Sequence, residues 1–237
     1  MISLCTPTRN RRPFIPHMIK CIERQTHPKD NIEWIILDDG DDKIEDLVKD
    51  IPYVRYYKTN KMNVGEKRNL MNRYAKGEIL IYIDDDDYYP PERITHVVES
   101  LNTDICGSSI MYMYFTDLDK IYKFGPYGEN HATAATFGFK RELLNKSAFN
   151  DNDTKGEERF FLKRWSIPLT QMDPKKTILV IAHSMNTVEK TFLLHGYDVK
   201  PTNYLLEDFI EDIETIQFYR NIQPTLNEYK IYLNNLA

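Results

Sequence analysis

"LIYIDDDDYYPP", residues 80–91, carries an apolar run straight into four consecutive carboxylates, Asp84, Asp85, Asp86 and Asp87, and then into two tyrosines and two prolines. The run before the aspartates is apolar enough to be a central strand of a sheet. Like charges crowded at the mouth of such a strand repel one another and raise each other's pKa unless a cation lies among them. Extended-chain alternation sends Asp84 and Asp86 to one side and Asp85 and Asp87 to the other. An Asp-x-Asp pair can hold one hard divalent ion such as Mg²⁺ or Mn²⁺, with water or phosphate oxygens completing the octahedron. A solvated acidic turn is the plainer reading of such a run. Its place at a strand's carboxyl end favours a metal, because open α/β sheets bind ligands there.

Upstream, three further β-rich runs, "MISLCT", "EWIILDD" and "YVRYYKT", alternate with helical patterns, the signature of βαβ units and a largely parallel sheet. Ile15, Met18, Ile19 and Ile22 make one helix stripe, and Ile44, Leu47, Val48 and Ile51 a second. A third helix is expected from about Glu66 to Lys76, ending at Gly77, and "PPERITHVVESL" gives a fourth with proline in its first turn. Beyond residue 104, "DICGSSIMYMYF", "KIYKFG" and "ATAATFGFKR" read as antiparallel strands added to the sheet. A short helix around "GEERFFLKRW" and a strand "TILVIAHS" follow. The tail reads as an amphipathic helix with Leu205, Phe209, Ile213 and Ile216 on one side. The fold class is α/β: a Rossmann-like central mixed sheet flanked by helices, one continuous domain with a C-terminal helical appendage.

Composition excludes several classes. The 31 basic and 36 acidic residues are mixed along the chain for a net charge of −5, which provides no basic face for nucleic acid. Cys5, Cys21 and Cys106 match neither a disulfide framework nor a CxxC metal site and are expected to be reduced core residues. No apolar segment reaches membrane-spanning length and "MISLCTPTRNRRPF" does not read as a secretory signal, so a cytoplasmic location is expected.

Other strand ends are also polar: "TPTRNR" (Thr6 to Arg11) follows the first strand and "DDG" (Asp38 to Gly40) the second. "NVGEKRNLMN" adds a helix amino terminus at Gly65 with the cations Lys67 and Arg68, a combination suited to phosphate oxygens. Together, "TPTRNRRPFI", "QTHPKDNIEWIILDDGDD", "NVGEKRNL" and "YIDDDDYYPPERI" resemble the GT-A fold glycosyltransferases of the family 2 type, closely over about the first hundred residues. The resemblance implies a single GT-A catalytic domain over residues 1–200, with a nucleotide-sugar-binding half at 1–101, an acceptor-binding half at 102–200 and a helical extension at 201–237. It implies a metal-dependent, inverting glycosyltransferase of hexosyltransferase type, with a UDP-sugar donor and a glycan, glycoconjugate or protein acceptor. Thr6, Pro7, Thr8 and Arg9 would line the nucleotide pocket, Asp39 or Asp38 would meet the base, and Lys67 or Arg68 would stand near the diphosphate or the base. Asp84 to Asp86 would be the family's Asp-x-Asp (DXD) motif, with Asp84 and Asp85 on the donor and Asp86, joined by Asp84, on Mn²⁺ or Mg²⁺.

The resemblance further implies a general base in an acidic pair at the start of a second-half helix. Here the pair is Glu157-Glu158, where the family usually has Asp second; Glu158 is favoured, with Glu157 the alternative. A helix amino terminus also attracts glutamates for its dipole alone. His183 in "LVIAHSMNT" would be a further metal ligand, supported by Asn186 and Thr187, and Tyr127, His131 and Phe137 would fall in the acceptor region. Two alternatives stay open. A sugar nucleotidyltransferase would carry a glycine-rich loop after its first strand, and "TPTRNRRPF" has no glycine. A non-catalytic nucleotide-sugar or divalent-cation binding protein is compatible with the unusual Glu-Glu pair.

Overall fold

The computed structural model describes residues 1–236. Strands β1 (Ile2–Thr8), β2 (Ile32–Asp38), β3 (Val54–Lys58) and β4 (Ile79–Tyr82) pair in parallel in the order β3-β2-β1-β4. The sheet is extended to seven strands by β8 (Gly138–Lys140), antiparallel to β4, then β5 (Ile105–Gly107) and β9 (Thr170–Gln171). This is the expected mixed α/β sheet. Period-two alternation divides its strands between two cores. Leu4, Trp34, Ile36 and Ile81 pack with Ile15, Met18 and Ile22 of α1 (Ile15–Glu23) on one face. Cys5, Ile35, Leu37, Leu80 and Tyr82 pack with Met71 of α3 (Val64–Tyr74) on the other. All three cysteines are free and buried.

Several elements differ from the sequence expectation for identifiable reasons. The stripe from Ile44 to Ile51 packs as foreseen, yet α2 is only Glu45–Val48, because Pro52 disfavours helical geometry in the residue before it. Helix α3 stops at Tyr74, where Arg141 takes the carbonyls of Ala75 and Gly77 and Glu33 takes the N–H of Gly77. The run "DICGSSIMYMYF" is not one strand. Ser108 Oγ donates to the carbonyl of Ile110 and accepts that residue's N–H, turning the chain out of the first sheet. Therefore β6 (Met111–Phe115), β7 (Lys120–Phe124), β10 (Leu179–Ala182) and β11 (Val199–Pro201) form a second sheet, order β10-β6-β7-β11, rather than extra strands on the first.

The C-terminal helix α6 is Ile213–Leu236, starting later than the pattern from Leu205 suggests. Asp212 sets that start: its carboxylate accepts the N–H and the hydroxyl of Thr215 in an N-cap. Leu205 and Ile213 are exposed, and the buried face is Ile216, Tyr219, Ile222, Leu226 and Tyr229. Among the described residues no helix is long and apolar enough to cross a membrane.

Helix α4 (Arg93–Ser100) lies against β8 at Gly138, where an added Cβ would stand 2.2 Å from Val97 Cγ1. Gly138→Ala should therefore overpack this contact and cost about 1–3 kcal/mol, read as a lower midpoint in denaturant unfolding. An unchanged midpoint would mean that α4 can move away freely.

Candidate active site

The chain leaves β4 at Tyr82, so strand alternation does not govern the aspartates that follow. Asp84, Asp85 and Asp86 all line one cavity, whereas Asp87 turns into the fold and accepts the Ile181 N–H at 2.8 Å. Tyr88 and Leu179 exchange two backbone hydrogen bonds (3.0 and 2.9 Å), sewing the acidic run to β10 and bringing the end of that strand beside it.

The cavity, about 510 Å³, opens beyond the carboxyl ends of β1, β2 and β4. Its lining includes Pro7, Thr8, Arg9, Asp39, Lys67 and Arg68 together with the three aspartates. Five candidates are not in this lining: Glu157, Glu158 and His183, which lie around it, and Thr6 and Asp38, which stand elsewhere. Thr6 is fully buried and its hydroxyl accepts the Trp34 Nε1–H at 2.9 Å. Asp38 is consumed by the turn after β2, accepting from Gly40 N, Ile44 N and the Tyr56 hydroxyl. Of the two aspartates offered for the base, Asp39 alone faces the cavity; it pairs with Lys67 and accepts the Met62 N–H at 3.1 Å. Burial lowers the Lys67 ammonium pKa, against the pull of Asp39.

Arg68 is directed to the other end of the cavity. Its Nε lies 2.8 Å from Glu157 and its Nη2 3.3 Å from Asp84, its guanidinium covers the Tyr82 ring at 4.6 Å, and Nη1 is buried without a partner. The Gly65 N–H, expected to be free for a phosphate, donates to the Asp153 carbonyl instead. A Cβ on Gly65 would stand 2.0 Å from the Asn150 carbonyl oxygen, so glycine is what lets α3 and this loop approach so closely.

Helix α5 (Glu158–Phe161) follows that loop. Glu157 is held by Arg68, while the half-buried Glu158 carboxyl has no hydrogen bond or ion pair with another of the described residues. Burial, reinforced by the charge of Glu157, raises Glu158 to about 7. Phe137, placed by resemblance near an acceptor, is fully buried against Phe161. Tyr127 and His131 remain accessible, His131 lying against Trp165 with ring centroids 4.2 Å apart.

His183, at the end of β10, has Nε2 3.0 Å from Asp86 Oδ2, and its Nδ1 accepts the Met185 N–H at 3.1 Å. The neutral ring thus carries its proton on Nε2 and donates it to Asp86. Asn186 Nδ2 also reaches Asp86, at 3.3 Å. Arg11, part of the polar stretch after β1, has its Nε 3.3 Å from Asp86 and 3.7 Å from Asp85. Burial alone would raise Asp86, but the His183 hydrogen bond and the Arg11 charge outweigh it and hold that carboxyl low. Burial pushes Asp85 up, its neighbour Asp86 adds to the rise, and its Oδ2 is buried without a partner. Arg11 had a weak signal, a cation shortly after a strand end. Met185 and Leu233, also in the lining, had none.

Among the described residues no three His, Cys, Asp or Glu side chains gather as a metal cluster. Asp86 and His183 nonetheless suit a hard divalent ion: their contacting atoms are 3.0 Å apart, the spacing of neighbouring ligands that each lie about 2.1 Å from an octahedral centre. Metal binding displaces ligand protons such as that on Nε2.

The sequence model of the family described as "Glycosyl transferase family 2" matches residues 3–156, more than half of the chain. An "Uncharacterized glycosyltransferase" of Haemophilus influenzae is 31% identical over 101 residues, 42% of this chain and 34% of the relative. The poly(ribitol-phosphate) beta-N-acetylglucosaminyltransferase TarS of Staphylococcus aureus is 28% identical over 98 residues, 39% of this chain and 17% of TarS. The match thus spans about a third of one of these curated relatives and about a sixth of the other. In fold, the TarS fragment 1–349 in complex with UDP-GlcNAc superposes with a TM-score of 0.61 at 19% identity, covering 92% of this chain and 66% of the fragment. The mannosyltransferase PcManGT of Pyrobaculum calidifontis, in complex with GDP-Man and Mn²⁺, gives a TM-score of 0.61 at 15% identity, covering 78% of this chain and 58% of that one.

Removing Arg68 would leave Glu157 buried and unpaired. Arg68→Met should destabilise the fold by about 3 kcal/mol or more in denaturant titration, and a loss under 1 kcal/mol would show that the pair is not structurally coupled.

Proposed function

Since the chain belongs to glycosyl transferase family 2, we propose that it transfers a sugar from a UDP-sugar to an acceptor hydroxyl in a metal-dependent displacement with inversion. The observation that carries this reading is the convergence on one cavity of the strand-end aspartates, with Asp86 paired to His183, and the cations Lys67 and Arg68. The nucleotide occupies the end bounded by Pro7, Thr8, Arg9 and Asp39, and Lys67 stands beside it through its bond to Asp39. Asp84 and Asp85 face the donor, and Arg68, held by Asp84 and Glu157, lines the cavity as a cation for the diphosphate.

Asp86 and His183, with Asp84 nearby, would hold Mn²⁺ or Mg²⁺, whose charge stabilises the departing diphosphate. Support for a divalent ion comes from the fit of this donor pair and from the fold shared with PcManGT, whose solved structure is a complex with GDP-Man and Mn²⁺. Glu158, ionised, takes the proton of the acceptor hydroxyl as its oxygen bonds to the anomeric carbon, and the bond from that carbon to the diphosphate breaks, releasing UDP. One displacement inverts the anomeric configuration. A carboxyl raised to about 7 is a better-matched base at neutral pH than one with an ordinary pKa. The acceptor is a glycan, glycoconjugate or protein hydroxyl.

The test is UDP release and sugar transfer from a panel of nucleotide-sugars with Mn²⁺ or with chelator. Release should depend on metal and be abolished by Asp86→Ala. Since a base works only when ionised, transfer should rise as pH increases through about 7 and then level off. Glu158→Gln should cut transfer by about 10²-fold or more while UDP binding persists. Transfer undiminished in Glu158→Gln removes Glu158 as the base, and nucleotide binding without turnover on any donor and acceptor leaves a binding protein.

A further inference from the structure

Helix α6 lies wholly beyond residue 156, where the family match ends, yet it touches the loops that follow all three strands around the cavity. Tyr219, Ile222, Leu226, Tyr229 and Leu233 recur at intervals of three and four, so they share one helix face. The Tyr219 hydroxyl donates to the Asp87 carbonyl, after β4, at 3.1 Å. Ile222 and Leu226 pack on Phe14, after β1. The Tyr229 hydroxyl donates to Asp42 Oδ2, after β2, at 2.8 Å, and Arg12 grips the same carboxylate at 2.8 and 2.9 Å. One turn further on, Leu233 reaches the cavity beside Met185 and Thr187.

The dimensions agree with a bar laid across the strand ends. β2 and β4 are separated by β1, hence by about 10 Å. The ten residues from Tyr219 to Tyr229 extend about 15 Å along a helix, enough to bridge that gap at a slant. The start of the bar is fixed to α1 by Lys20–Glu214 at 2.5 Å, and the residue before it to the α1 C-cap by Arg24–Asp212 at 2.9 Å.

We propose that α6 is a working part of the donor site: Tyr219 and Tyr229 hold the two acidic loops at a set separation, and Leu233 is a wall against which the bound nucleotide packs. This rests on the donor reading given above. Tyr219 and Tyr229 are positioning residues that act through Asp87 and Asp42. Leu233 is a specificity-determining contact.

The experiment uses the full chain and the nucleoside diphosphate that binds most tightly among UDP, GDP and dTDP, measured by calorimetry with Mn²⁺. Tyr229→Phe removes one hydroxyl and leaves Asp42 paired with Arg12, so the fold survives. It and Leu233→Ala should each raise the nucleotide Kd by about tenfold, as loss of a buried contact would. Ile231→Ala, on the exposed face, should change nothing. In turnover, donor KM should rise in the two variants while kcat at saturating donor stays within about twofold, a split that general destabilisation does not produce. Leu233→Trp, which fills the space rather than emptying it, should weaken binding further. Affinities within twofold of wild type in Tyr229→Phe, Leu233→Ala and Leu233→Trp, with wild type binding nucleotide, overturn this inference alone. A wild-type chain that binds none of the three nucleotides overturns the donor reading and this inference with it.

Discussion

Packing four consecutive aspartates at the end of a central strand, Asp85 and Asp87 buried and Asp84 and Asp86 half-buried, is the constraint from which the rest of this structure follows. Each ion taken from water costs several kcal/mol unless it is paired and hydrogen-bonded. The partners are drawn from distant parts of the chain. Arg68 on α3 meets Asp84, Arg11 after β1 meets Asp85 and Asp86, and His183 and the Ile181 N–H from β10 meet Asp86 and Asp87. No local segment could supply this set. The second sheet is accordingly fastened to the acidic run by the Tyr88–Leu179 bridge, and α6 adds the Tyr219 hydroxyl on the Asp87 carbonyl.

The parallel half of the fold was legible because its signals are local. The apolar runs of β1 to β4, the α1 stripe and the polar strand ends each announce themselves within about ten residues. Pairing between distant segments was not legible. Nothing in "DICGSSIMYMYF" says that Ser108 will turn β5 and β6 into different sheets, and the apolar Leu205 and Ile213 mimic a helix face that Asp212 then overrides. In the candidate site, residue types at strand ends pointed to the right edge of the sheet. They could not separate Asp39 from Asp38, because the two are adjacent at the end of β2 and only the turn geometry turns Asp38 inward to Tyr56. Nor could periodicity foresee that the aspartates leave the strand and place Asp84, Asp85 and Asp86 together.

Two adjacent glutamates show how environment separates like groups. Glu157 is buried against the Arg68 guanidinium at 2.8 Å, which satisfies its charge. Glu158, one residue on, has no such partner and feels both desolvation and the fixed charge of Glu157, so it is raised to about 7. A carboxyl paired to a guanidinium is suited to a structural charge, and an unpaired, raised one to moving a proton. The Glu in place of the family's usual Asp does not disturb this division, which depends on which side chain Arg68 takes.

Arg68 also explains why α3 matters beyond its own packing. Consecutive residues of one helix, Lys67 and Arg68, are directed to Asp39 at the β2 end and to Asp84 and Glu157 at the β4 end. Arg68 is held from both sides, so α3 is joined through one side chain to both the acidic run and the start of α5. Gly65 tightens the same coupling: its missing Cβ lets the Asn150 carbonyl approach, and its N–H holds Asp153 four residues before Glu157. The cavity at the strand ends and Glu157, the neighbour of the proposed base, are thus joined through one guanidinium on a single helix.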